Sequence, residues 1–316
     1  MRAPDFWQSR GLLATLLSPL GALYGSSVAL KAKHAKSFDP GMPVICVGNL
    51  TAGGSGKTPI AIAIAQALRA RGRKPFFLTR GYGGSERGPA QVARAHNASV
   101  MGDEALLLVR AAPTIVARDR AAGARLAAEK GADILVMDDG HQNFALRKTL
   151  SLVVVDADSG FGNGLMIPAG PLRERVTQGL GRTDAVVLAG DGSPDLQGFS
   201  GPVLRTRLAV ETNALAGKSV FAFAGIGRPE KFIASLEAGG VDVTGSCFFA
   251  DHHPYTDDEI SQLKAIAGDT VLVTTEKDFV RLSVAQREGI RAVKAVSVFE
   301  DAAALSALLD RALAPV

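Results

Sequence analysis

The chain has 316 residues, 47% of them apolar and 21% charged, enough apolar material for a large core and not the make-up of a disordered chain. Thirty-five Lys and Arg against 31 Asp and Glu leave a net charge of +4, an excess too mild to call for nucleic acid as a partner. The two cysteines, Cys46 and Cys247, stand one in each half, which excludes a disulfide-rich secreted domain and a zinc ribbon and points to a reducing compartment.

Residues 11–30 carry no charge, and a spanning helix needs about 20 apolar residues. Thr15, Ser18, Pro19, Gly21, Gly25, Ser26 and Ser27 interrupt the run, while Leu13, Leu16, Leu17, Leu20, Leu23 and Tyr24 follow the spacing of one helical face. Arg2, Arg10, Lys31, Lys33 and Lys36 flank it, and Trp7 and Tyr24 suit headgroup level. The pattern predicts an amphipathic helix lying on a membrane surface. Two readings compete: the same face packed on the protein's own core, and a cleaved signal peptide. Export conflicts with the nucleotide motif that follows.

From residue 43 short apolar runs alternate with helical stretches. Pro43 to Val47, Pro75 to Leu78, Thr114 to Val116, Ile134 to Met137, Leu152 to Val155 and Ala185 to Leu188 read as buried strands. Pro59 to Ala70, Glu104 to Arg110 and Ala121 to Glu129 read as helices. This alternation predicts an α/β fold, a P-loop-type parallel sheet flanked by helices. Gly190 to Gly201 is rich in turn formers, and the alternation restarts after it. The expected organisation is an N-terminal helix over 1–36, a P-loop core over 37–195, a linker over 196–217 and a second, smaller α/β domain over 218–316.

The sharpest motif is Thr51-Ala52-Gly53-Gly54-Ser55-Gly56-Lys57-Thr58, between a predicted strand and a predicted helix. In such a loop, successive backbone N–H groups and the helix N-terminus cradle phosphate oxygens. Lys57 would reach the β/γ-phosphates of ATP and the Thr58 hydroxyl would ligate Mg²⁺. Thr51 departs from the consensus glycine, but the context of strand before and helix after is retained.

Ile134-Leu-Val-Met-Asp138-Asp139 is an apolar strand ending in two carboxylates. A carboxylate so placed holds Mg²⁺, and Asp138 is the first choice, with Asp139 beside it to ligate or to orient water or substrate. Asp103 opens a helical stretch, either as a plain N-cap or as the carboxylate that accepts an alcohol's proton. His252 and His253 adjoin Asp251, and a histidine beside a carboxylate is held in one tautomer. Arg173, in the tight loop Ile167 to Arg175, is either an exposed ion-pair partner or a phosphate-facing guanidinium.

Seven motifs then occur in order: Val47 to Pro59 (VGNLTAGGSGKTP), Thr79 to Gly84 (TRGYGG), Gly102 to Glu104 (GDE), Asp138 to Gln142 (DDGHQ), Pro168 to Glu174 (PAGPLRE), Phe249 to His253 (FADHH) and Thr274 to Asp278 (TTEKD). The set spans residues 43–281 and resembles the tetraacyldisaccharide 4′-kinase family of lipid A biosynthesis. The resemblance implies transfer of the ATP γ-phosphate, with Mg²⁺, to the 4′-hydroxyl of an acylated glucosamine disaccharide 1-phosphate lipid. It also implies a monotopic enzyme on the cytosolic face of a Gram-negative inner membrane. It matches the family's acidic base to Asp103 and the paired histidine to His252, and places Arg173 and Glu174 near the nucleotide and substrate phosphates. The alternative is an ATPase or GTPase switch of the partitioning or metallochaperone type. Those commonly carry a signature lysine early in the loop, and here position 52 is Ala.

Overall fold

The computed structural model describes residues 4–54 and 56–314; Arg2 and Ser55 lie outside the described residues. In chain order the first unit contains α1 (Leu12–His34), β1 (Val44–Gly48), α2 (Lys57–Ala70), β2 (Pro75–Thr79), β3 (Ala90–Gln91), α3 (Ala98–Met101) and α4 (Asp103–Ala111). It continues with β4 (Thr114–Val116), α5 (Arg120–Glu129), β5 (Ile134–Asp138), β6 (Leu150–Asp156), α6 (Val176–Leu180), β7 (Ala185–Ala189) and β8 (Val203–Val210). Then come β9 (Ser219–Ala224), α7 (Pro229–Ala238), β10 (Asp242–Phe248), α8 (Asp257–Ala267), β11 (Val271–Thr275), α9 (Glu276–Phe279) and β12 (Ile290–Val293). The last two elements are β13 (Ala295–Phe299) and α10 (Ala302–Leu313).

Two sheets result. The larger has nine strands in the order β13-β8-β7-β6-β1-β5-β2-β4-β3, parallel except for β3 and β13 at its edges. β1, β2 and β5 are buried along their whole length, which is why they read as unbroken apolar runs. On one face α2 lays Ile60, Ile64 and Leu68 against them. The smaller sheet, β10-β9-β11-β12, is wholly parallel.

Two expected boundaries are corrected. Residues 196–217 are not a linker, because β8 lies within them and pairs in parallel with β7. The region 218–316 is not one unit either. β13 pairs antiparallel with β8, and Leu305, Leu308 and Leu309 of α10 join the core beneath α2. The signal was weak because Arg205 and Arg207 break up the apolar run of β8. Arg205 is fixed by carbonyls of Gly190, Asp191 and Gly192.

α1 is a helix as expected, but it docks by its small residues. Ala14, Gly21 and Gly25 are buried, and a Cβ on Gly21 would stand 2.8 Å from the Met166 carbonyl oxygen. Leu12, Leu16 and Leu23 are 86%, 76% and 68% exposed, so the leucine face does not pack on the protein's core. Trp7 is half-buried, its indole N–H donating to the Pro168 carbonyl at 3.0 Å, which anchors the segment to the loop before Arg173. α1 is long and apolar enough to cross a membrane, with a mean hydropathy of 1.4.

Candidate active site

The site forms where β1 ends, at the carboxyl edge of the large sheet and between neighbours that lead away in opposite directions. Parallel register sets Val47 opposite Asp138, so the loop after β1 and the acids after β5 emerge side by side. The loop is braced by the 167–175 segment. Ala52 N–H donates to the Pro171 carbonyl at 2.7 Å, Arg173 N–H donates to the Leu50 carbonyl at 2.8 Å, and Thr51 bridges Leu172. The non-consensus Thr51 therefore serves through its backbone. Gly53 and Gly56 take φ of 111° and 76°, conformations that other residues rarely adopt. Open space lies beside Gly53, Gly54 and Gly56 among the described residues.

Lys57 and Thr58 open α2. Thr58 Oγ1 donates to Asp138 Oδ2 at 2.9 Å, while Asp138 Oδ1 is buried with no hydrogen-bond partner among the described residues. Burial, only partly offset by Lys57, pushes the Asp138 carboxyl up to about 7. A hydroxyl and a carboxylate with one oxygen in want of a partner are hard donors that fit Mg²⁺, whose uptake would displace that proton. No group of three or more His, Cys, Asp or Glu able to hold an ion occurs among the described residues. That suits a cation completed by phosphate and water rather than by a protein cage.

Asp139 is paired with two cations. Its backbone turns to φ 54°, sending the carboxylate to Arg173 Nη1 at 2.8 and 3.0 Å and to Lys57 Nζ at 3.6 Å. Burial raises its pKa, but Lys57 and Arg173 outweigh that and hold it at about 2. Lys57 is itself buried, which lowers its pKa against the pull of Asp139. Arg173 thus stands beside Lys57 through a shared carboxylate. Glu174 departs further from expectation, because it is 2% exposed and turned inward. It takes hydrogen bonds from Arg182 and Gln142, and Gln142 also donates to the Asn49 carbonyl. In this arrangement Glu174 braces the segment that follows the loop, through Arg182 and Gln142.

Asp103 begins α4, but Gly102 is the N-cap, and no capping bond to the Asp103 side chain occurs among the described residues. Instead its Oδ2 meets His252 Nδ1 at 2.9 Å and accepts from Arg281 Nε at 2.6 Å. Burial raises the Asp103 pKa, and His252 and Arg281 together bring it below its ordinary value of 3.8. His252 reaches α4 because it sits at φ 62°, a left-handed turn rare for a non-glycine residue. His253 faces the other way, with Nε2 at 2.9 Å from Glu259, the residue that closes the capping box of α8. The fold thereby decides between the two imidazoles. Lys277 falls in the Thr274–Asp278 motif and Arg281 just beyond it, but their roles emerge only where both meet the His252 ring.

Residues 13–314 match the family described as Tetraacyldisaccharide-1-P 4′-kinase. The chain belongs to this family. It is 50% identical to the tetraacyldisaccharide 4′-kinase of Paramagnetospirillum magneticum and 47% identical to that of Rhodospirillum rubrum, covering 98% of both chains in each comparison. Among solved structures it is similar to LpxK from Aquifex aeolicus, crystallised in complex with ATP. That likeness has a TM-score of 0.79 at 25% identity, over 96% of this chain and 100% of the other.

Within this family member His141, third residue after Asp138, is structural. It is 1% exposed, with Nδ1 near Ser151 Oγ at 3.2 Å and Nε2 near the Gly179 carbonyl at 3.1 Å. A carbonyl only accepts, so Nε2 carries the proton and the ring is neutral. Burial, helped by Lys148 and Arg182, pushes its pKa down to about 3. The unfolded chain takes up this proton below about 6.5 while the native state refuses it, so stability falls as pH drops from 6.5 towards 3. His141→Gln is expected to flatten the fall by about 1.4 kcal/mol per pH unit in that window. Urea midpoints at pH 7 and pH 5 measure it, and equal slopes in both proteins would refute the burial argument.

Proposed function

We propose that this protein transfers the γ-phosphate of ATP to the 4′-hydroxyl of a tetraacyldisaccharide 1-phosphate, yielding the 1,4′-bisphosphate lipid A precursor. The observation that carries the reading is the meeting of Asp103 with His252 in a chain that also bears a phosphate loop. A nucleotide switch has no use for a carboxylate–imidazole pair supplied by two units.

Gly53, Gly54 and Gly56 let the loop backbone approach the triphosphate closely, and Lys57 and Arg173 place positive charge beside the transferring phosphoryl group. Mg²⁺, held by Thr58 and Asp138, supplies further neutralisation of phosphate charge when bound. Asp139 keeps the two cations in place before the nucleotide enters. Asp103 takes the proton from the sugar hydroxyl, oriented by His252. The test is incubation with ATP, Mg²⁺ and detergent-dispersed disaccharide 1-phosphate. Labelled phosphate is expected on the lipid, and release of phosphate without lipid labelling would support the switch reading instead.

The protein rests on the cytosolic face of a Gram-negative inner membrane, in this reading, with the exposed leucines of α1 among the acyl chains. Exposure of Leu12, Leu16 and Leu23 and the basic end at Lys31, Lys33 and Lys36 support it. Changing those three leucines to Glu is expected to lower binding to anionic vesicles by at least about 100-fold. The fold should hold, since the side chains face outward. A triple variant that still floats with vesicles would exclude α1 as the anchor.

A further inference from the structure

Six charged or titratable groups surround the His252 ring: Asp103 and, through Lys277, Glu104 on α4; Lys277 on α9; Arg281 just after it; Asp251 next in the chain; and Tyr82, whose ring lies edge-on at 6.1 Å. The two ring nitrogens meet different partners. Nδ1 lies 2.9 Å from Asp103 Oδ2 and 3.4 Å from Arg281 Nη2. The carboxylate accepts and the guanidinium donates, so the shorter contact decides that Nδ1 carries a proton.

Nε2 lies 3.3 Å from Lys277 Nζ and 3.8 Å from Asp251 Oδ1. Lys277 is the nearer of the two. Its ammonium is also 3.5 Å from Asp251 and 3.6 Å from Glu104, so it answers both carboxylates and has a donor to direct at Nε2. On Asp103, meanwhile, Oδ2 takes the His252 and Arg281 donors, while no donor among the described residues reaches Oδ1.

We infer that Lys277 is a positioning residue for phosphoryl transfer: it holds His252 as the neutral ring protonated on Nδ1, so that His252 and Arg281 fill Asp103 Oδ2 and Oδ1 is the base. The inference rests on the reading of Asp103 as base. In the step, the sugar O–H proton passes to Asp103 Oδ1 as that oxygen bonds to the γ-phosphorus. The bond from phosphorus to the β,γ-bridging oxygen breaks, and ADP leaves with the electron pair. Lys277 occupies the Nε2 lone pair, which leaves the ring proton on Nδ1, directed at Asp103 Oδ2.

The decisive measurement is ¹⁵N NMR of the imidazoles in the full-length protein at pH 8, with His252 assigned by its absence in His252→Gln. Protonated Nδ1 and unprotonated Nε2 are expected; a proton on Nε2 would overturn the inference without any variant being made. Lys277→Met is then expected to move the Nε2 signal towards the protonated range and lower kcat by about 10-fold or more. The KM for ATP should stay unchanged, and Lys277→Arg, which keeps a cationic donor, should recover most of kcat. Wild-type kcat in Lys277→Met would equally refute the role. Asp103→Ala separates the two readings: if it stays active, the base itself was misassigned, whatever the tautomer.

Discussion

Lys57→Ala is expected to lower kcat on the order of 10²–10³-fold while the protein stays folded. The Lys57 side chain is 11% exposed, and its ammonium, 3.6 Å from Asp139, is the only lysine ammonium within 4 Å of that carboxylate among the described residues. A charge held in so dry a place stabilises developing negative charge far better than one in water. The fold should survive because Asp139 keeps its two contacts to Arg173, and a cation whose burial is unfavourable has been removed. Initial rates with lipid and ATP, set beside a thermal melt, separate chemistry from stability. A variant with near-normal turnover would remove the phosphate-loop assignment.

Asp103→Asn should lower kcat on the order of 10²–10⁴-fold, the range spanned by loss of a general base. The amide keeps the size of the carboxylate and can still accept from Arg281 and His252, but it cannot take a proton. Nucleotide binding should persist, since no phosphate-loop residue touches Asp103 among the described contacts. Asp103→Ala adds a second effect, because Arg281, 6% exposed at its side chain, would lose one of its two carboxylates and keep only Asp278. A lower melting temperature in the alanine variant with an unchanged rate in the asparagine variant would reduce Asp103 to a structural contact.

These ion pairs also describe how the two units meet. Besides Asp103, Glu104 pairs with Lys277, Arg110 with Glu276, Asp156 with Arg228 and Asp158 with Lys231. Pairs of this kind, several half-exposed, are individually weak and reversible in water.

The amino-acid sequence by itself determined the parallel sheet, the phosphate loop, the acid at the end of β5 and the apolar N-terminal helix. Each is a local pattern: an unbroken apolar run, glycines at fixed offsets, or a helical spacing of leucines. Tertiary structure alone decided the rest. The partners of Asp139 and Glu174 come from other segments, Arg173 and Lys57 for one, Gln142 and Arg182 for the other. The choice of His252 over His253 turned on one left-handed backbone angle, and the return of β13 and α10 to the first sheet on an antiparallel edge pairing. Such outcomes depend on which charges meet across long stretches of chain, and no short-range period records them.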